Sequence, residues 1–282
     1  MSDSQKQMPL IPDDLRRIVP EMVIAVCVRN NARTLGQTLA SINMQVDCSM
    51  RVAVVLGDDQ STDHWRRVVA AAPGNHPLVT LNLNAGTPSR ARNQVLAAIE
   101  AWAPSCRAVA RLDGDDYFVH PHALRDIENA LSLVDGDHKG VKYRALLGGN
   151  IQVDHAGNHV GINMPEPDLM QPECLLRRLE RMTAGDGNSE LPSCNVVLLA
   201  PDFEKYPDLS SAEDHALVAK LLARGECLVV PDLLIAAYRL SGTATQLAHR
   251  SGKHQAARLR LFEDIRSQLE NMRFCRPAAR MT

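Results

Sequence analysis

Residues 52–63 read VAVVLGDDQSTD, an apolar run that stops at a glycine and gives way to acids and hydroxyls. Five apolar residues in succession, mostly valine, suit a strand covered on both faces, and the polar cluster marks its end. The same order of events is found on either side. Upstream, residues 22–28 (MVIAVCV) form a second apolar run, followed by Arg29 and Asn30 and then by Leu35, Leu39 and Ile42 at helical spacing. Downstream, the run at 78–83 leads through 84–93 (NAGTPSRARN) into a helical pattern over 90–102. A further run at 107–112 ends in DGDD at 113–116, ahead of a helical stretch from about 122 to 134. With a helix also expected at 62–71, the alternation predicts an α/β fold with a mostly parallel central sheet flanked by helices. The polar clusters then fall at the carboxyl ends of strands, where open α/β sheets bind ligands.

After residue 140 the pattern changes. Residues 146–153 and 159–164 flank DHAGN and predict a hairpin, 171–182 a helix, and 183–193 a loop that can close over a ligand. A short apolar run at 195–200, a helix at 212–223 and two strands at 227–230 and 233–238 follow. The end of the chain, 254–272, reads as an Arg-rich amphipathic helix that packs on the body or on a partner, which makes an oligomer one reading of this segment. Three segments result: an arm (1–20) with Pro9, Pro12 and Pro20, an α/β domain (21–242) and a C-terminal helical extension (243–282).

Composition narrows the class. The chain has 282 residues, 45% hydrophobic and 23% charged, and a net charge of −2, which fits a folded protein and gives no support to sequence-independent nucleic-acid binding. Its seven cysteines are scattered without metal-ligand spacing, as in a reducing compartment. No run of about 18 apolar residues and no apolar leader occurs, so the expected location is cytoplasmic, without a transmembrane segment.

Three acidic clusters can carry chemistry. In Asp58-Asp59-Gln60-Ser61-Thr62-Asp63 a carboxylate can accept a hydrogen bond from a nucleobase ring N–H; equally, Ser61 or Thr62 can cap the next helix. Asp113-Gly114-Asp115-Asp116 places three carboxylates at a buried strand end, where they repel unless a cation neutralises them. Oxygen ligands of this kind suit Mg²⁺ or Mn²⁺ shared with a substrate diphosphate, and the alternative is a solvated turn. Glu213-Asp214-His215, after Ser210-Ser211, is either a serine-capped helix start or a general base. Gly86 supplies a tight turn, and Arg90 or Arg92 pairs with phosphate, with the acids, or with a surface carboxylate. His120 and His122 flank Pro121 without a third ligand at sensible spacing.

Taken in order, these pieces resemble the family 2, GT-A type glycosyltransferases. The family's strand-end turn matches Cys27-Val28-Arg29-Asn30, and its D-D-G-S-T-D matches 58–63. Its N-x-G-x-x-x-A-R-N block matches 84–93, its D-x-D-D matches 113–116, and its E-D-x-x-L matches 213–217, with a late Tyr238-Arg239 pair. The resemblance, over about 21–242, implies an inverting, metal-dependent transfer of a sugar from a nucleotide diphosphate, most commonly a UDP-sugar, to an acceptor hydroxyl. It implies Cys27, Arg29 and Asp59 at the nucleobase, Arg92, Asp113 and Gly114 at the donor, Asp115 as the principal metal ligand, and Asp214 as the base. Three positions depart from the pattern: Arg29 stands where an aromatic is common, Gln60 replaces a glycine, and Ser241 stands where a metal-binding histidine is often found. His215 is then an alternative ligand. The first turn, CVRNNART, lacks the glycines that a sugar nucleotidyltransferase needs to clamp a triphosphate, and a binding protein without catalysis is the other competitor.

Overall fold

The computed structural model describes residues 17–72, 74–134, 142–185, 191–209, 211–240 and 252–275. Most of the N-terminal arm, the middle of the 183–193 loop, Ser210, Ser241 and the first part of the C-terminal extension lie outside these residues.

The first half follows the expected alternation. Strands β1 (Met22–Val28), β2 (Val52–Asp58), β3 (Leu78–Asn82) and β4 (Ala108–Asp113) are separated by helices α1 (Leu35–Asn43), α2 (Trp65–Ala71) and α3 (Pro88–Trp102). They pair in parallel in the order β3-β2-β1-β4. Side chains alternate across β1. Met22, Ile24, Val26 and Val28 join the layer of α1, α2 and α4 (Ala123–Leu131), while Val23 and Ala25 join that of α3. Each fully buried Ile or Leu in these layers contributes about 1.5–3 kcal/mol by leaving water. Helix α3 begins at Pro88, whose fixed φ and absent N–H suit a first helical position, and Thr87 caps it by accepting from Arg90 N.

The second half turns the sheet mixed. A two-residue strand, β5 (Tyr117–Phe118), follows the DGDD turn. Then come β6 (Ala145–Val153), β7 (His159–Asn163), β8 (Val197–Leu199) and β9 (Cys227–Arg239). β4 and β6 both pair antiparallel with β8, β6 runs parallel to β9, and β5 returns antiparallel on β9. The expected hairpin is present, β7 pairing with the far end of β6. The α/β class and the helix-flanked sheet match the expectation, with a parallel first half and antiparallel pairs added after β4.

Helices α5 (Pro172–Thr183), α6 (Glu213–Ala223) and α7 (Lys253–Cys275) complete the α3 layer. The buried positions of α7 (His254, Arg258, Leu261, Ile265 and Leu269) recur every three or four residues, and this stripe faces α5 and α6. The C-terminal helix therefore packs on the body.

Candidate active site

β1 and β2 end side by side, Val28 opposite Asp58, and the loops beyond them are laced together. Asn30 N donates to Ser61 Oγ (2.8 Å), Thr62 N to Asn30 Oδ1 (2.8 Å), and Ala32 N to Asp63 Oδ2 (2.8 Å). Asp59, 5% exposed, accepts from Ala85 N (2.8 Å) and Gly86 N (3.1 Å), which fixes the third loop; Arg29 Nη1 lies 3.4 Å from its Oδ2. Gly86 sits at φ +74°, as a tight turn requires. Asp58 Oδ1 accepts from Ser61 N (3.0 Å). The expected helix cap at Ser61 or Thr62 is absent, because α2 starts only at Trp65 and both residues are spent on the loop.

The DGDD turn is built from close approach. Gly114 N donates to Cys27 O (3.0 Å), and its carbonyl accepts from Thr34 Oγ1 (3.0 Å) and Thr38 Oγ1 (3.2 Å). A Cβ at 114 would lie 2.7 Å from Val28 Cγ1 and 3.2 Å from Asn31 Cβ, so glycine is the residue that fits. Arg239, the arginine of the late Tyr-Arg pair, clamps the turn from β9. Its Nε donates to Asp115 O (3.1 Å), Nη1 to the carbonyls of Asp154 and His155, Nη2 to Gln37 Oε1, and its backbone N to Asp116 Oδ1 (2.9 Å).

The three carboxyls of the turn differ. Burial pushes Asp113 up, but Arg111 and Arg92 outweigh it and hold the carboxyl below its ordinary value. Asp115 is pushed up to about 6, first by burial and then by the charge of Asp113. Asp116 is raised well above its ordinary value by burial and by Asp115 and Asp113, and its buried Oδ2 has no hydrogen-bond partner among the described residues. Asp115 makes no ion pair among the described residues. This surplus of buried negative charge on oxygen donors fits a divalent cation. No group of three or more His, Cys, Asp or Glu side chains able to hold a metal occurs among the described residues, so one or two carboxylates would share the ion with a diphosphate.

Two buried arginines join this turn to α6. Arg92 Nη2 lies 3.2 Å from Asp113 Oδ2, and its Nη1 pairs with Glu213 Oε1. Arg111 Nη2 lies 2.5 Å from Asp113 Oδ2, and its Nη1 lies 3.7 Å from Asp214 Oδ2. The Tyr206 ring supports both guanidinium groups, at 5.4 and 5.8 Å, and Asn93 holds Tyr206 through a hydrogen bond to its N and one to its O. Asp214 feels burial first, yet His215, Arg111 and Arg92 together bring its carboxyl well below the usual range. Arg92 thus serves the acids, while Arg90 forms an exposed pair with Asp208. Cys27, between Gly57 and Asp113 in register, is a neutral thiol pushed up to about 11, chiefly by burial.

Other expectations resolve as follows. Ser211 does not cap α6. Ala212 occupies the cap position in the left-handed region (φ +58°), and Ser211 Oγ instead shares a 2.6 Å hydrogen bond with His254 Nδ1. His215 packs 6.1 Å from the His254 ring, with Nδ1 3.9 Å from Asp214 Oδ1. His120 and His122 pair with Asp126 and Asp47. A surface groove between α1 and α2, lined by Gly36, Ala40, Met44 and Val68, contains none of these acids. Sequence reasoning missed Arg111 and Tyr206. The signal for Arg111 was available: it is a charged residue inside the apolar run 107–112.

Residues 23–133 match the family model Glycosyl transferase family 2. No curated protein matches the sequence. Among solved structures, S. aureus TarS superposes with a TM-score of 0.56 at 18% identity, over 93% of this chain and 46% of TarS, so the chain spans just under half of that protein. TarS residues 1–349 in complex with UDP give 0.54 at 17% identity, over 92% of this chain and 73% of that one. The mannosyltransferase PcManGT from Pyrobaculum calidifontis, in complex with GDP-Man and Mn²⁺, gives 0.52 at 16% identity, over 89% and 65%. These structures share the fold, and the family match covers the strands and loops that carry the first two acidic clusters. No helix among the described residues is long and apolar enough to cross a membrane. Residues 23–133 thus carry the likeness to glycosyl transferase family 2, and the sheet built upon them has the GT-A fold of these structures.

Proposed function

We propose that the protein is an inverting glycosyltransferase that moves a sugar, a hexose or N-acetylhexosamine, from a UDP-sugar to an acceptor hydroxyl, with Mn²⁺ or Mg²⁺ bound. One observation carries the reading: Arg111, buried, touches both Asp113 and Asp214 and so joins the donor turn and the start of α6 in one charged cluster. Asp59, with Cys27 and Arg29 beside it, borders the nucleobase. Asp113 and Gly114 border the donor ribose and diphosphate, with Arg92 holding Asp113 in place. Asp115 would hold the metal, which when bound would supply positive charge for the departing diphosphate.

Asp214 takes the acceptor proton. Its carboxyl is ionised at neutral pH but weakly basic, so proton transfer accompanies formation of the new C–O bond rather than preceding it. Cys27, Cys48, Cys106, Cys174, Cys194 and Cys227 are unpaired thiols, which supports a reducing, cytoplasmic setting.

Thermal shift against UDP, GDP, TDP and CMP, each with Mn²⁺, Mg²⁺ or EDTA, tests the donor site, since a ligand of the native state raises its stability. Metal-dependent stabilisation by UDP, lost in Asp115→Ala, is the expected result; a preference for GDP moves the donor, and no response defeats the reading. Asp214→Asn should lower kcat at least a hundredfold with donor affinity unchanged. Equal loss of binding and turnover would remove Asp214 from the base role.

A further inference from the structure

The residue before Glu213 is Ala212, a non-glycine residue at φ +58° and ψ +24°, and no side chain caps the helix that follows. Left-handed backbone is unfavourable for alanine, and it persists where surrounding structure holds it. The neighbouring residue is tied to another element. Ser211 Oγ and His254 Nδ1 share a 2.6 Å hydrogen bond, both residues are about 8% exposed, and His254 belongs to the first turn of α7. The position of His254 on α7 is informative. Along the buried stripe, Leu261, Ile265 and Leu269 are apolar, whereas His254 and Arg258, in the helix's first two turns, are polar. A buried histidine contributes less apolar contact than leucine would, but it fixes a hydroxyl in direction as well as distance. The same end of α7 is tied to α5 through Gln255 Nε2, which donates to Thr183 O.

We infer that His254 is a positioning residue for Asp214: through Ser211 it holds Ala212 in the left-handed region, and this sets where the first turn of α6 places the carboxylate. The inference rests on the reading of Asp214 as the base. The C-terminal helix then belongs to the catalytic apparatus.

The test combines five variants of the full chain: Ser211→Ala, His254→Ala, the two together, His254→Gln, and His254→Ala with Ala212→Gly. Two quantities are read, amide hydrogen exchange over residues 211–217 and the kcat and KM of sugar transfer. His254→Ala and Ser211→Ala should each speed exchange in this segment and lower kcat ten- to hundredfold with donor KM unchanged, since a small misplacement of a reacting group costs that much. Their double variant should be no worse than either alone. His254→Gln, which keeps a hydrogen-bonding group near Ser211, should recover part of the loss. Ala212→Gly should restore kcat in the His254→Ala background, because glycine holds the left-handed conformation without help. Unchanged exchange and kcat in His254→Ala, or a loss that Ala212→Gly leaves as it was, would overturn the inference. A wild-type protein that transfers no sugar would overturn the function proposed above; the exchange data then still decide whether His254 sets this segment. A fall in melting temperature with kcat retained marks His254 as structural only, and overturns the positioning role.

Discussion

The two acidic loops of the donor side, 58–63 and 113–116, look alike in sequence and are held in opposite ways. In the first, each aspartate is satisfied by backbone N–H groups: Asp58 by Ser61, Asp59 by Ala85 and Gly86, Asp63 by Ala32. In the second, Asp113 leans on two buried guanidinium groups, Asp115 has no ion pair among the described residues, and Asp116 keeps an orphaned oxygen. The first loop is an architectural lock that ties the neighbouring loops together through backbone N–H groups. The second is a concentration of charge left open to a cation, and its stability depends on residues far away in the chain.

Four substitutions or probes separate the two, beginning with the strongest. Arg111→Met should destabilise the fold by about 3–5 kcal/mol, because it leaves Asp113 buried with one cation fewer. Chemical denaturation at neutral pH measures this, and a loss under 1 kcal/mol would show that Arg92 suffices alone. Gly114→Ala should cost about 2–3 kcal/mol through the overlap with Val28 and weaken metal-dependent UDP binding as the turn shifts. If stability falls while nucleotide affinity is kept, the turn tolerates displacement and the tight packing serves the fold alone. Asp59→Ala should cost about 1–2 kcal/mol, since it strands the N–H groups of Ala85 and Gly86, without altering metal affinity. A large change in metal affinity would erase the contrast between the loops.

The smallest effect concerns Cys27, whose thiol lies close to the arginines yet is neutral. At pH 8, alkylation of Cys27 in the native protein should run roughly a few hundredfold slower than in the unfolded chain, because a thiol raised to about 11 is almost wholly protonated. Peptide mass spectrometry after timed quenching reads this directly. A rate like that of the unfolded chain would mean that the nearby guanidinium groups dominate over burial at this position.

Much of the first half was legible because β1 and β2 are built on uninterrupted apolar runs: β1 occupies the run 22–28 read from the sequence. β9 was less so. Pro231-Asp232 splits it into two apparent strands, yet it is continuous over Cys227–Arg239. The ladder with β6 absorbs the interruption by shifting register, so that Leu147 faces Val229 while Gly149 faces Leu234. The acids of the site were visible as clusters after strands. Arg92 could be read as their partner, but the reach of Arg111 to Asp214 and the support of both arginines by Tyr206 come from pairings across the fold, which local patterning does not encode. The helix caps assigned to Ser61, Thr62 and Ser211 failed for one reason: each residue had a tertiary partner to satisfy, and that took precedence over the nearest helix.

The clamp formed by Arg239 has a consequence for how the protein is made. It grips a turn whose own residues precede it by 124 positions. At a synthesis rate of about 5–20 residues per second, the acidic turn waits roughly 6–25 s on the ribosome before its clamp emerges. The strands of the first half are complete long before then, so the nascent chain carries a formed sheet with an unfinished, self-repelling turn at its edge. A chain ended at residue 133 would keep β1 to β4 but would have neither the partner of β5 nor that clamp. The smallest unit able to hold the turn in its final shape therefore extends to the last residue of β9.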